Sequence, residues 1–181
     1  MNYVFHLLIY FNLYAILALS LNLVVGYCGL LTLAHAGYYA IGAYTYALLS
    51  QVAELGFIPA AVGGMIVPAV LSLAVSLPSW RFKGDFFVMV SLAVQALLFS
   101  LLYNWFSAGA PVGSLSNLTN GPFGIAGIPR PAILGYRFDT VGSMAVLSLV
   151  LLGLSALVFW RLKGSPWGRL LRAMRDDELA T

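Results

Sequence analysis

The chain alternates long apolar runs with short polar breaks, and the breaks carry nearly all of its charge. No Asp, Glu, Lys or Arg occurs from Met1 to Ala53, and further uncharged stretches run from Leu55 to Trp80, Phe86 to Pro129 and Thr140 to Trp160. Since about 20 apolar residues suffice for a helix to cross a bilayer, each stretch is long enough to do so. The pattern predicts five membrane segments, at Val4–Val25, Leu33–Val52, Phe57–Leu77, Phe86–Phe106 and Val141–Trp160. Backbone polar groups in lipid must be satisfied internally, and the alternation of a barrel is absent, so the segments are expected to be helices. The expected fold class is all-α: a polytopic helical membrane protein of about five transmembrane segments followed by a short cytoplasmic amphipathic helix.

Composition agrees, with 61% hydrophobic and 8% charged residues, where a soluble domain carries roughly 25% charge. A water-soluble globule is excluded. A single cysteine, Cys28, rules out an internal disulfide, and there is no CxxC pair or zinc-ligand spacing. The net charge of +3 matters through its placement, because basic loops remain cytoplasmic. Arg81 and Lys83 lie in one short link, and Arg161, Lys163, Arg169, Arg172 and Arg175 lie in the tail. Both regions are therefore expected inside, which puts the 107–140 loop and the N-terminus outside and gives no reason to invoke nucleic acid.

That count treats Gly26-Tyr-Cys-Gly29 as a tight cytoplasmic turn between two full spans; a glycine-broken or re-entrant segment would change it. The first apolar run lacks a basic leader and a small-residue cleavage site, so it is expected to stay as an anchor. Asp85 and Asp139 each precede an apolar run, where a short acidic side chain can cap free helix amides. Residues 1–181 read as a single membrane domain. The 107–140 loop is rich in glycine and proline and exceeds the usual loop length of about 12 to 15 residues, which suits either a functional segment or a solvated tether.

Enzyme chemistry finds little support. His6 and His35 are the only histidines, no acid lies inside a segment, and no HExxH, GxSxG or Walker A sequence occurs. No charged ring or repeated filter sequence suggests a channel. His35 either lines a polar pathway or hydrogen-bonds between helices, and Asn22 reads the same way. Ala36/Ala40 and Ala43/Ala47 have the one-turn spacing of small residues at helix contacts.

The tail is more specific. Ser165-Pro166 is an N-cap followed by proline at the first helical position. On the helix it starts, Trp167, Leu170, Leu171 and Met174 share one side, and Arg169, Arg172 and Arg175 follow at spacings of three, before the acidic run Asp176-Asp-Glu178. Such a helix can lie on anionic lipid. The acidic run would be repelled there, whereas it could pair with a basic protein groove, which favours docking to a cytosolic partner.

Four ordered motifs closely resemble LivM-type permease subunits of bacterial ABC importers for branched-chain amino acids. They are Ala18–Thr45, with Gly26-Tyr-Cys-Gly29 and His35-Ala-Gly37 inside it; Arg81-Phe-Lys-Gly-Asp-Phe-Phe-Val-Met-Val90; Leu118-Thr-Asn-Gly-Pro-Phe-Gly-Ile125; and Ser165-Pro-Trp-Gly-Arg-Leu-Leu-Arg-Ala-Met-Arg-Asp-Asp-Glu178. Asn120 and Phe123 depart from the family's Gly and Asn, and Gln95 stands where an acidic residue is common. Urea and amide permeases share much of the pattern, so these substrates stay open beside branched-chain amino acids.

The resemblance implies a multi-pass subunit of the bacterial inner membrane that is not itself an enzyme and binds no cofactor. It implies a second, LivH-like permease, two cytosolic subunits that bind ATP and magnesium, and a periplasmic substrate-binding protein. Gly168, Arg169, Arg172, Ala173, Arg175, Asp176 and Glu178, within a coupling region at 161–181, would engage the ATPase. Asn22, Gly26, Tyr27, His35, Gly37 and Gly42 would line the translocation path or pack closely, and Arg130 and Arg137 of the exterior loop would face the binding protein. Family subunits continue for several more spans, so the chain is expected to be a C-terminally truncated subunit; if it is truly this short, a non-transporting scaffold is the alternative.

Overall fold

A computed structural model describes residues 2–79, 85–133 and 135–176. The basic link at Arg81 and Lys83, and Glu178 in the tail, lie outside the described residues. Among the described residues six α-helices dominate: α1 (Asn2–Asn22), α2 (His35–Gln51), α3 (Phe57–Ser79), α4 (Asp85–Asn104), α5 (Val141–Gly164) and α6 (Pro166–Asp176). α1 runs on into a π-turn, Leu23–Tyr27. Between α4 and α5 come a 3₁₀ turn, Gly121–Phe123, and a small antiparallel hairpin of β1 (Ala132–Ile133) and β2 (Tyr136–Arg137).

Among the described residues, four helices are long and apolar enough to cross a membrane: α1 with its π-turn, α3, α4 and α5. α2 has 17 residues, and at about 1.5 Å per residue it reaches roughly 25 Å, short of a hydrocarbon core of about 30 Å. The turn expected at Gly26–Gly29 also differs, because Gly26 and Tyr27 are still helical and the break falls after Cys28. Asp139 is not the cap of α5. Thr140 is: its hydroxyl accepts from the Ser143 amide at 3.2 Å, and the Ser143 hydroxyl accepts from the Thr140 amide, a reciprocal capping box.

The chain divides into two compact units, Met1–Leu31 with Phe138–Thr181, and Thr32–Arg137. In the first, α1 packs along α5. Its interior is polar at the centre, where buried Asn12 donates from Nδ2 to the Ser148 hydroxyl at 3.0 Å, and that hydroxyl donates to the Ala145 carbonyl at 2.8 Å. Lipid tails are as apolar as leucine, so small size and hydrogen bonding, rather than hydrophobicity, hold membrane helices together. Outward-facing Val4, Tyr10, Phe11, Leu149 and Leu154 fit a lipid surface and would not fit water.

In the second unit α2 packs on α3 and α4. Gly42 and Gly64 make the α2–α3 contact: a Cβ at Gly42 would lie 2.9 Å from the Gly64 carbonyl oxygen, and one at Gly64 would lie 3.1 Å from that of Gly42. The expected alanine pairs contribute less, since Ala36 and Ala43 are exposed and Ala47 alone of the four is buried. The loop after α4 is tied down. Thr119 Oγ1 donates to the Leu102 carbonyl at 2.6 Å and lies 3.2 Å from that of Trp105, satisfying carbonyls that the end of α4 leaves open. Trp105 Nε1 donates to the Leu115 carbonyl at 2.8 Å, and Asn117 Nδ2 to that of Ala110 at 2.9 Å.

Candidate functional site

The first unit builds its site at the elbow between α5 and α6. Ser165 breaks the helix in extended conformation, and its hydroxyl accepts the Gly168 amide at 3.3 Å, which starts α6 at Pro166. Gly168 is buried against the end of α5, where a Cβ would collide with the Leu162 carbonyl oxygen and lie 2.8 Å from that of Lys163. Glycine is therefore the residue that lets α6 fold back so tightly.

The three arginines of α6 then separate by role. Arg172 Nη2 donates to the Lys163 carbonyl at 3.1 Å and its Nε to that of Gly168 at 3.3 Å, with the guanidinium carbon 5.6 Å from the centre of the Tyr27 ring. Arg175 Nη1 donates to the Gly26 carbonyl at 3.1 Å and packs on Gly29. Both guanidiniums thus bond carbonyls at helix C-termini, of α5 and of the π-turn, where the macrodipole is negative. Arg169 is exposed, as are Ala173, Trp167 and Leu170. The glycine–arginine side of α6 faces its own chain, and the Trp167–Leu170 side is open.

The π-turn meets this elbow with residues of the first motif. Tyr27 contacts Phe159 of α5 edge-on at 5.6 Å between ring centres. The Asn22 amide lies against Gly26, where a Cβ would collide with its Oδ1. Burial pushes the Cys28 thiol, just past the turn, above its ordinary value.

The second unit gathers polar groups at the start of α2. Gln95 Oε1 accepts the Gly37 amide at 2.7 Å, and the Ser91 hydroxyl, one turn earlier on α4, accepts the Leu33 amide at 3.0 Å. The Thr32 hydroxyl accepts the Ala34 amide at 3.3 Å. Side chains of α4 thereby supply acceptors to amides at the start of α2, that of Gly37 also reaching the Ala34 carbonyl at 3.1 Å. His35 is the first residue of α2 and is half-buried.

The 107–140 loop shows why one departure from the resembled motif is tolerated. Asn120 has φ 60° and ψ 17°, the left-handed region that glycine and asparagine occupy readily, and its Nδ2 donates to the Gly124 carbonyl at 2.8 Å. Phe123 is exposed and rests on Phe106 at 5.6 Å between ring centres. Arg130 and Arg137 are both exposed, Arg137 on β2 and Arg130 just ahead of its partner strand.

Of the positions singled out in the sequence, the structure brings Gly26, Tyr27, Gly168, Arg172 and Arg175 into one cluster, with Asn22 against Gly26. It places Gly42 in the α2–α3 contact and Gly37 at the α2–α4 contact, where a Cβ would lie 2.7 Å from Leu98 Cδ1. Asp176 ends α6. Sequence reasoning missed Asn12, Ser91 and the part of Gln95 as a helix cap; polarity inside an apolar run was the available signal.

These features define a multi-pass helical membrane protein whose helices meet through small and polar residues. Residues 3–181 match the family described as branched-chain amino acid transport system / permease component, and the chain belongs to that family. It is 34% identical to the high-affinity branched-chain amino acid transport system permease protein LivM of Salmonella typhimurium, and equally to that of Escherichia coli, over 93% of this chain and 43% of each relative. The probable branched-chain amino acid transport permease protein LivM of Methanocaldococcus jannaschii is 28% identical over 95% of this chain and 56% of that protein. The chain therefore spans less than half the length of the two bacterial relatives. No solved structure matches it.

Proposed function

We propose that this chain forms part of a permease subunit in an ATP-driven importer for branched-chain amino acids, in the bacterial inner membrane. The observation that carries the reading is the open side of α6. Trp167 and Leu170 are exposed there with Arg169 and Ala173 beside them, held in place by a Gly168 elbow and two internally bonded arginines. A rigid amphipathic helix of this kind suits docking into a groove on a cytosolic ATPase. ATP and magnesium would be held by that partner, and this chain would perform no hydrolysis.

A second permease subunit would complete the pathway, and a periplasmic binding protein would meet the exterior loop near Arg130 and Arg137. Closure of the ATPases would displace α6 and rock the apolar helices, a rigid-body transmission of the type transporters use. The test is uptake by the full-length protein, reconstituted with its partner subunits and binding protein in proteoliposomes. ATP-dependent entry of leucine, isoleucine or valine is the expected result. Entry of urea or short amides instead would reassign the substrate, and partner binding without any flux would leave a scaffold.

A further inference from the structure

We infer that Arg175, supported by Arg172, is a positioning residue that latches α6 to the π-turn of α1, so that a displacement of α6 is delivered directly to the first membrane helix. The inference rests on the reading that α6 receives force from a cytosolic partner. It adds where that force goes inside the chain.

Three observations converge on it. Arg175 reaches 149 positions back along the sequence to the Gly26 carbonyl, in the π-turn that closes the first membrane helix. Gly29 has φ +70°, and a Cβ there would lie 2.5 Å from Arg175 Cγ, so the chain just past the turn is shaped to admit this side chain. Arg172 adds a second attachment: it is held by the Lys163 and Gly168 carbonyls, and its guanidinium covers Tyr27, whose ring also meets Phe159.

The element at the receiving end is suited to move. A π-turn holds one residue more than an α-turn, with poorer packing along its axis, and such turns occur within helices at functional positions. Asn22 at its start is exposed, and the Cβ-less Gly26 accommodates the Asn22 amide. Pulling on the Gly26 carbonyl through the planar Arg175 guanidinium acts on this weak turn before it acts on the regular helix. An arginine that merely neutralised a helix end would give stability without any dependence on the state of α6.

The experiment uses the full-length protein with its partner subunits in proteoliposomes, and Cys28, next to Gly29, as a maleimide-reactive reporter. In the wild type, the rate of Cys28 labelling is expected to differ between nucleotide-free and ATP–vanadate states. With Arg175→Ala, uptake per ATP hydrolysed by the complexes that assemble should fall at least about fivefold, the scale of an ordinary coupling interaction, and the nucleotide dependence of Cys28 labelling should disappear. Gly29→Ala displaces Arg175 from the opposite side and should uncouple in the same way, which keeps the test decisive should Arg175→Ala fail to accumulate. Unchanged uptake per ATP with the labelling response intact would overturn the latch. So would uptake lost only in proportion to lost assembly. Failure of the wild type to bind an ATPase would instead overturn the transport reading on which the latch rests.

Discussion

Gln95 accepts the backbone amide of Gly37 at 2.7 Å, so a side chain from the middle of one apolar helix closes the first turn of another. Helix α2 starts without a capping side chain of its own at Ala34, and α4 supplies the acceptor. Gln95→Leu would remove that acceptor and leave the amide only its 3.1 Å bond to the Ala34 carbonyl, at a cost of about 0.5–1.5 kcal/mol. Gln95→Glu keeps an acceptor at a helix N-terminus, where negative charge is favoured. Thermal unfolding in detergent should therefore show a clear drop for the leucine variant and little change for the glutamate. Equal drops for both would mean that the bond is dispensable and that side-chain volume decides.

At the elbow, backbone geometry makes a sharper demand. A side chain at Gly168 would drive into the Leu162 and Lys163 carbonyls, and overpacking of this kind costs about 1–3 kcal/mol. Gly168→Val should lower thermal stability and weaken retention of any cytosolic partner. Gly164, four residues earlier, has open space around it, so Gly164→Ala should stay within about 0.5 kcal/mol of the wild type. Similar behaviour of the two variants would remove the reason given for glycine at 168.

In the loop between α4 and α5, the left-handed backbone of Asn120 sets the order of tolerated residues. Asn120→Gly should be nearly neutral, giving up the bond to Gly124 in exchange for an unstrained turn. Asn120→Val forces a β-branched residue into that conformation and should cost about 1–2 kcal/mol. Retention of full stability by the valine variant, measured by thermal unfolding, would count against the observed turn.

Cys28 offers a pH test. Burial favours its neutral thiol over the thiolate, so its titration lies above the ordinary range. Because the thiolate is the reacting species, alkylation near pH 7 should be slower than for a free thiol, and the rate should reach half its maximum above pH of about 8.5, the usual thiol midpoint. A half-maximal rate at or below that pH would contradict the effect of burial.

Much of this architecture was legible from the apolar runs. The first, third, fourth and fifth membrane segments lie within a few residues of their expected bounds, and Ser165-Pro166 marks the start of α6. Less legible were features whose partners are backbone atoms. The spacing of three between Arg169, Arg172 and Arg175 describes a basic stripe, yet Arg172 and Arg175 turn to carbonyls of their own chain, and a carbonyl leaves no mark in a sequence. Asn12 was hidden for a similar reason, since its partner Ser148 is 136 positions away and is one serine among many. Thr140 displaced Asp139 as the α5 cap because Ser143 completes the reciprocal pair, a relation that the nearest acidic residue obscures.

The claim on which the account turns is that the open side of α6 docks into a cytosolic ATPase. A photoreactive phenylalanine in place of Trp167, in the full-length protein expressed with its neighbouring subunits, tests it directly. The account predicts a covalent adduct with the ATP-binding subunit, identified by mass spectrometry. Adducts confined to lipid would contradict it and would make α6 a helix of the membrane surface.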